Sequence, residues 1–506
     1  MKDTRKTSRV LTALLATAMM TSLAACGGDA GSTDTTAAST DPVETTAPLD
    51  PALVCDLPDT DWEGRQCRIL GYANTKTQFS NFEIDVEAEN GEVVNDAIFR
   101  RNRTIEEAYN VEIVQTLEES DTSPRKSTLA HMRAMALAGE DLYDIAFMAI
   151  ASIGTAAREG LFYDLNNVDY IDFSKDWWNP KVNNSLEIKG RLFFTNSDFT
   201  LRDKNRTYLI TFNKRLVEEY SLGNYFDMVR DGTWTLDKMA EGCKAVANDI
   251  NGDGKVDYYD TFGVVMDSYY GGAALAIGAG IRVLDNVDGE YQLVINNEHT
   301  INAFDKVLSI VAADRVGSFC NDWQNKELPF DSFWSFSGTV HNEGRALFNT
   351  SFPHGLKNKS AKSVDDYGVL PFPKYDEVQE DYYIYADPQG MLFGIPSTTP
   401  DPDFSGFMME ALSYESSTTS LPAYIEVSCK TKYTYDEDSA EMLDLIFDSI
   451  VFETAEIYGI SGMNNILTSI MEKKTNNFAT RYATLESAAL KDLEKLVGDI
   501  MAVGNK

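Results

Sequence analysis

The chain has 506 residues, 43% hydrophobic and 11% aromatic, which is ample for sizeable cores and, by length, for two or more domains. Its formal charge is −35, and so acidic a surface repels polyanions, which argues against nucleic acid and anionic lipid as partners. Besides Cys26, cysteines stand far apart at Cys55, Cys67, Cys243, Cys320 and Cys429, an odd number and wide spacing that speak against a dense disulfide framework or a zinc pattern.

Lys2, Arg5, Lys6 and Arg9 form a basic start, and a mostly apolar stretch from Val10 to Met20 follows. That stretch is too short to span a bilayer. It closes on Ser22-Leu23-Ala24-Ala25-Cys26. Small residues before a cysteine, directly after an apolar segment, resemble the lipobox of bacterial lipoproteins. The resemblance implies a signal peptide over 1–25, cut before Cys26, and a lipid on that cysteine. From Gly27 to Val54 there is no aromatic residue and Thr, Ala, Ser and Asp dominate. Residues 26–54 therefore read as a flexible tether, because they bury too little apolar surface to offset their ordering entropy. Folded structure is expected from about Cys55 onward. Cys55 and Cys67 could bridge across a short loop or stay reduced. Cys243 falls on an apolar helical face, as a small buried hydrophobe would.

The first folded stretch alternates strands and helices. "CRILGYA" (Cys67–Ala73) reads as a strand, "VNDAIFRRNRTIEEAYN" (Val94–Asn110) as a helix and "VEIVQT" (Val111–Thr116) as a strand. Leu129, Met132 and Ala136 form a further helical face ended by Gly139, and "YDIAFMA" (Tyr143–Ala149) is a short apolar run suited to a buried strand. This βαβ rhythm implies a parallel sheet covered by helices. It resumes at "RTYLITFNKRLVEEYSL" (Arg206–Leu222). Then Thr235 is placed to cap a helix whose Leu236, Met239, Ala240, Cys243 and Val246 recur at helical spacing. "TFGVVM" (Thr261–Met266) reads as a strand, and the chain from Glu441 is mostly helical in pattern.

Between that helix and strand stands "DINGDGKVDYYD" (Asp249–Asp260). Oxygen-bearing side chains at loop positions 1, 3, 5, 9 and 12, with glycine at 6, give the spacing of an EF-hand calcium loop. The expected ligands are the side chains of Asp249, Asn251, Asp253 and Asp260 and the Lys255 carbonyl, with Asp257 bound directly or through water. Position 12 is Asp rather than Glu, the exit segment is a strand rather than a helix, and the loop is single. The reading is therefore a structural Ca2+ rather than a sensor.

The order of segments resembles the family 1 extracellular solute-binding proteins of bacterial ABC sugar importers. It is carried by "YDIAFMAIASIGTAAREGLFYDL" (Tyr143–Leu165), "LITFNKRLVEEYSL", "GTWTLDKMAEGCKAVANDINGDGKVDYYDTFGV", "NEGRALFNT" (Asn342–Thr350), "DDYGVLPFPK" (Asp365–Lys374) and "GMLFGIPSTTPDPDFSGFMMEAL" (Gly390–Leu412). Phe212 stands in the family's tyrosine position, the proline before the Thr-Trp helix is missing, and Leu347-Phe348 replace an Ala-Met. The resemblance implies an α/β fold of two lobes, periplasmic-binding-protein-like, with an interlobe cleft and hinge crossings. Lobe 1 is assigned 55–205 with about 390–425, and lobe 2 206–389 with about 426–506. The crossings are placed near Asn205–Tyr208, Tyr385–Gly390 and Tyr424–Cys429. The implied function is delivery of a carbohydrate, most simply an oligosaccharide, to the membrane subunits of an ABC importer.

Sugar rings offer apolar C–H faces rimmed by hydroxyls, so their sites combine flat aromatic platforms with carboxylate and amide groups. Aromatic residues beside turn residues are the candidates here: Trp177 and Trp178, Tyr269 and Tyr270, Phe352 with His354, and Tyr458. Asp198 and Asp387, near strand ends by the crossings, are candidates for binding hydroxyls. The alternative is that these rings pack cores. Hydrolytic chemistry has little support, since the four histidines make no HExxH pattern and no Gly-x-Ser-x-Gly elbow occurs. A pair of glycosidase carboxylates, or a peptide ligand on the same fold, remains as the competing reading.

Overall fold

In the computed structural model, residues 53–74, 80–120, 124–287, 290–434 and 436–503 are described. The leader at 1–25, Cys26 and nearly all of the tether lie outside them. The strands, in chain order, are β1 (Arg65–Asn74), β2 (Val111–Ser120), β3 (Ile145–Ala149), β4 (Leu209–Asn213), β5 (Phe262–Met266), β6 (Leu284–Val287), β7 (Glu290–Leu293), β8 (Gly317–Phe319), β9 (Ala346–Ser351), β10 (Tyr367–Leu370), β11 (Ile384–Tyr385), β12 (Met391–Gly394) and β13 (Ile450–Val451).

They form two principal sheets. In the first the order is β12-β3-β1-β2. β1 runs parallel to β2 from Arg65↔Val111 to Asn74↔Ser120 and parallel to β3, while β12 pairs antiparallel with β3. The helix Val93–Tyr109 makes the crossover from β1 to β2. Glu92 caps it by accepting from the backbone N–H of Val94 and Asn95, and Asn110 ends it in the left-handed conformation at φ 49°. It packs with Pro402–Thr418, whereas Pro124–Ala138 packs with Ile150–Arg158. In the second sheet the order is β10-β4-β9-β5-β8. There β4 is antiparallel to β9 and β10, and β5 is parallel to β8 and β9. The central strands β3, β4 and β5 are buried along their whole length, which is why β3 and β5 read as mostly apolar runs rather than as alternation.

Chain crossings join the sheets. Thr207 and Ala386 face each other in an antiparallel bridge. The Asp387 N–H donates to the Arg206 carbonyl at 3.2 Å and the Tyr208 N–H to the Tyr385 carbonyl at 3.1 Å. A third passage runs through a π-helical stretch, Ala423–Lys432. Next, β13 pairs with β11.

The C-terminal segment, 426–506, touches both lobes. Thr454–Ile457 lies against Ile150–Arg158 of the first lobe. Gly154 permits this approach, since a Cβ there would stand 2.4 Å from the Ile457 carbonyl oxygen. Ile466–Lys473 packs on Tyr269–Gly278 of the second lobe. The last helix, Phe478–Ala502, begins with Phe478 beside Phe304 at 5.5 Å between ring centroids. It ends on the first lobe, where Arg158 pairs with Asp492 at 2.7 Å and Asp499 at 3.2 Å, and Arg191 donates to the Val503 carbonyl at 2.7 Å. Cys55, half-buried, and Cys67, buried, are both free thiols. Among the described residues no helix is long and apolar enough to cross a membrane.

Candidate ligand-binding cleft

A cavity of about 400 Å3 opens between the lobes. The first lobe contributes Phe82 and Val86, from the segment after β1, and Glu92, Asn95 and Ile98 from the start of the crossover helix. The second lobe contributes Pro353, His354 and Lys357, and the crossings supply Asn205, Tyr424, Ser428 and Tyr433.

Phe82 is held by a buried polar clamp. Its backbone N–H donates to Glu83 Oε2 at 2.8 Å, and the other Glu83 oxygen accepts from Asn81 Nδ2 at 3.2 Å and from the Arg202 N–H at 3.2 Å. Arg101, fully buried, donates to the carbonyls of Glu83 at 2.9 Å and Ile84 at 2.7 Å. Burial pushes its guanidinium down to about 9, still charged at neutral pH. The Phe82 and Tyr424 rings meet at 6.2 Å. Asn205 Nδ2 donates to the Tyr424 hydroxyl at 3.2 Å.

On the second lobe His354 Nδ1 bonds the Asn205 carbonyl at 3.1 Å, so Nδ1 carries the proton and Nε2 is left as an acceptor. Burial, with Arg206 and Arg202 nearby, pushes the imidazole down to about 3, so the ring is neutral across the physiological range. It stacks on Phe352 at 5.3 Å. Phe352 in turn lies under the Arg206 guanidinium, 4.0 Å from its centroid, and 4.4 Å from the Tyr208 ring. Arg206 pairs with Asp387. Asp267, at the end of β5, accepts from Tyr208 Oη at 3.0 Å, Ser268 Oγ at 3.1 Å and Thr350 Oγ1 at 3.1 Å. Burial and the Asp387 charge nevertheless push its carboxyl up to about 6. The result is a cationic, carboxylate and aromatic seam at the base of the lobes.

Of the residues singled out in the sequence, His354 lines this cavity, Phe352 stacks behind it and Asp387 pairs with Arg206, whereas Tyr269 and Tyr270 are not among its lining. Tyr269 and Tyr270 are half-buried in the first turn of Tyr269–Gly278, capped by Ser268 Oγ, and the Tyr269 ring meets Phe319 edge-on at 5.2 Å. Asp198 lies apart, half-buried, with its carboxyl pushed up to about 7 by burial. Trp177, Trp178 and Tyr458 do not line this cavity. Trp177 and Trp178, 2% and 0% exposed, donate their indole N–H groups to the two oxygens of Glu410 at 3.0 and 2.8 Å. Tyr458, 1% exposed, donates to the Leu186 carbonyl at 2.8 Å. Each is a core side chain with its polar atom already satisfied. The cavity residues missed in the sequence were nonetheless signalled: Phe82 follows the carboxyl end of a strand in a βαβ unit, where ligands gather, and Tyr424 lies within a crossing.

In the loop Asp249–Asp260 the side chains turn inward. Asp249 accepts from the N–H groups of Gly252 and Gly254 at 2.8 and 2.7 Å, Asn251 from Asp253 at 2.9 Å, and Asp253 from Lys255 at 2.8 Å. Asp257 accepts from Asn251 Nδ2 at 2.8 Å. Arg315 reaches in from outside. Its Nε meets Asp260 Oδ2 at 2.7 Å, and its Nη2 lies 2.5 Å from the Lys255 carbonyl and 3.5 Å from Asp249 Oδ2. Asp260 Oδ1 is buried and meets no donor among the described residues. Among the described residues no three acidic, histidine or cysteine side chains converge as they would on a metal ion, and Arg315 shares positions 1, 7 and 12 of the loop.

Neither a family model nor a curated protein matches the chain. Solved structures do. A cyclo/maltodextrin-binding protein complexed with maltotetraose superposes with a TM-score of 0.54 at 14% identity, over 88% of this chain and 99% of that one. The UspC protein of M. tuberculosis gives 0.55 at 13%, over 84% and 99%. An ABC substrate-binding protein of Listeria monocytogenes in complex with cycloalternan gives 0.51 at 12%, over 86% and 99%. At these identities the likeness is one of fold, and it extends over nearly the whole of each neighbour.

Proposed function

We propose that this chain, which has the two-lobe fold of extracytoplasmic solute-binding proteins, is a lipid-anchored binding protein that delivers a carbohydrate to an ABC importer. The observation that carries the reading is the interlobe cavity. Phe82, Tyr424 and Tyr433 offer flat rings to the C–H faces of a sugar. Asn95, Asn205, Glu92 and the neutral His354 offer hydrogen-bonding groups to its hydroxyls. Walls drawn from both lobes favour the closed arrangement when ligand is present, which is how such a protein signals occupancy. The solved neighbours named with maltotetraose and cycloalternan support an oligosaccharide in particular. The basic, apolar and small-residue start ending at Cys26 supports export and lipidation there. In this reading the chain binds and hands over its ligand unchanged, and its partners are the ligand, the importer's membrane subunits and the membrane that holds the lipid.

A calcium ion in the Asp249–Asp260 loop is part of the same reading. The buried Asp260 Oδ1, which meets no donor among the described residues, supports it. Asp249, Asn251, Asp253, Asp257 and the Lys255 carbonyl would complete the set, with Arg315 flanking the ion. Bound calcium would brace the end of helix Leu236–Val246 against β5, which leads to Tyr269 and Tyr270.

A thermal-shift screen of the purified protein against maltose-, cellulose- and xylan-derived oligosaccharides tests the function, because a ligand of the folded state raises Tm by mass action. A dose-dependent rise without new products supports it. Sustained hydrolysis, or a rise with peptides alone, refutes it.

A further inference from the structure

A second cavity, of about 300 Å3, shares no lining residue with the interlobe cavity. Its walls come from three places. Val182 and Ser185 belong to the short helix Pro180–Leu186 of the first lobe. Leu284 and Tyr291 belong to the β6-β7 hairpin of the second. Tyr382, Tyr383 and the β13 segment belong to the hinge. The lobes touch here, since Tyr291 donates its hydroxyl to the Ser185 carbonyl at 2.6 Å and Lys189 pairs with Glu290.

One cation lies in the wall. Arg282 places its guanidinium 4.2 Å from the centroid of Tyr383. Nη1 donates to the carbonyls of Ile277 and Ile281 at 3.1 and 2.9 Å. Nη2 is buried and meets no acceptor among the described residues. A buried N–H left unpaired is costly, and a ligand oxygen relieves that cost. The rim carries the opposite sign: Asp285, Asp381 and Asp448 are exposed around the mouth, and Glu453 lies close enough to Arg282 to favour its charged form.

We propose that this is a second ligand site, for a single neutral sugar ring or comparable polyol, that couples to the interlobe cleft. The charges select the ligand class. An anion would face three rim carboxylates, and the single cation, Arg282, already lies beside Glu453. A neutral polyol fits the remaining groups: its oxygens accept from Nη2, its hydroxyls donate to Asp285, and its C–H face covers Leu284 and Phe452, apolar walls that a compact ammonium would leave uncovered. The volume is at the small end of ligand cavities and excludes a long chain. Because the walls are drawn from both lobes and the hinge, occupancy depends on the lobe arrangement. A ligand here and one in the cleft therefore alter each other's affinity by the same factor.

The test titrates the full chain with D-glucose, D-galactose, D-mannose and D-xylose by calorimetry, alongside Arg282→Gln, Asp285→Leu and the cleft variant Phe82→Ala. Asp285 is exposed, so its replacement leaves a folded protein even if Arg282→Gln does not. The expected result is saturable binding of at least one monosaccharide that Asp285→Leu and Arg282→Gln weaken about tenfold and Phe82→Ala leaves unchanged. Saturating monosaccharide should also shift the Kd of a cleft oligosaccharide by about fivefold. The proposal is overturned by no monosaccharide binding up to about 50 mM, by binding that Phe82→Ala removes and Asp285→Leu spares, or by displacement of the sugar with phosphate or spermidine. A cleft that fails to bind any oligosaccharide would sink the proposed function and leave this monosaccharide arm intact.

Discussion

Replacing Glu410 by glutamine should remove a specific pH dependence from folding. Glu410 is 3% exposed and accepts from Trp177 Nε1, Trp178 Nε1 and the Asp172 N–H at 3.0, 2.8 and 3.2 Å. Those donors favour the carboxylate, but burial outweighs them and pushes the group up to about 7 from an ordinary value of 4.5. A shift of roughly 2.5 units at about 1.4 kcal/mol each is about 3 kcal/mol of differential stability. The folded pKa is raised, so this contribution is fully present below about 4.5 and is lost as pH rises through about 7. Urea unfolding of wild type and Glu410→Gln at pH 4.5, 5.5, 6.5 and 8 measures it. Asp198 and Asp267 are also pushed up, to about 7 and about 6, but they titrate in both proteins and cancel in the difference. Wild type should lose about 3 kcal/mol relative to the variant between pH 4.5 and 8. A difference between the two that stays constant with pH refutes the reasoning.

Phe82→Ala and Tyr424→Ala should each weaken oligosaccharide binding by about tenfold or more with a modest change in Tm, and unchanged calorimetric affinity in both would remove the cavity from the site. Tyr269→Ala and Tyr270→Ala test the neighbouring loop in the same way. Chelation should lower Tm and added calcium restore it, whereas Asp253→Ala should abolish the response; a melting curve and metal content indifferent to calcium argue that Arg315 alone neutralises the loop. Gly154→Ala forces a methyl toward the Ile457 carbonyl and should cost about 1–3 kcal/mol in denaturant unfolding, and a neutral result would mean that the Thr454–Ile457 contact yields freely.

Much of the fold was legible because buried parallel strands and crossover helices leave strong patterns. "YDIAFMA" and "TFGVVM" are largely apolar and became β3 and β5, which have parallel neighbours, and "LITFN" became β4, between two antiparallel ones. Thr235 caps its helix as its position implies, accepting from the Lys238 N–H. The site was less legible because tryptophan and tyrosine satisfy a core and a sugar platform by the same chemistry. Trp177-Trp178 beside Asn-Pro carries no sign that their partner, Glu410, stands more than 200 residues later. The better clue was Glu410 itself, a lone acid in the apolar run "FMMEAL", which needs buried donors to be tolerated. The place of the last helix was hidden for a related reason: its register on Arg158 and Phe304 depends on both lobes being present.

That arrangement also bears on how the chain acquires its structure. The first sheet lacks its edge strand until Met391–Gly394 has been made, more than 240 residues after β3 pairs with β1. The last helix then needs surfaces from both lobes. Neither lobe can therefore be excised as one continuous fragment. Folding must wait on contacts of long sequence separation, which slows it and prolongs the exposure of unpaired strand edges. Loss of the final two turns should thus act on yield and folding rate before it acts on ligand affinity.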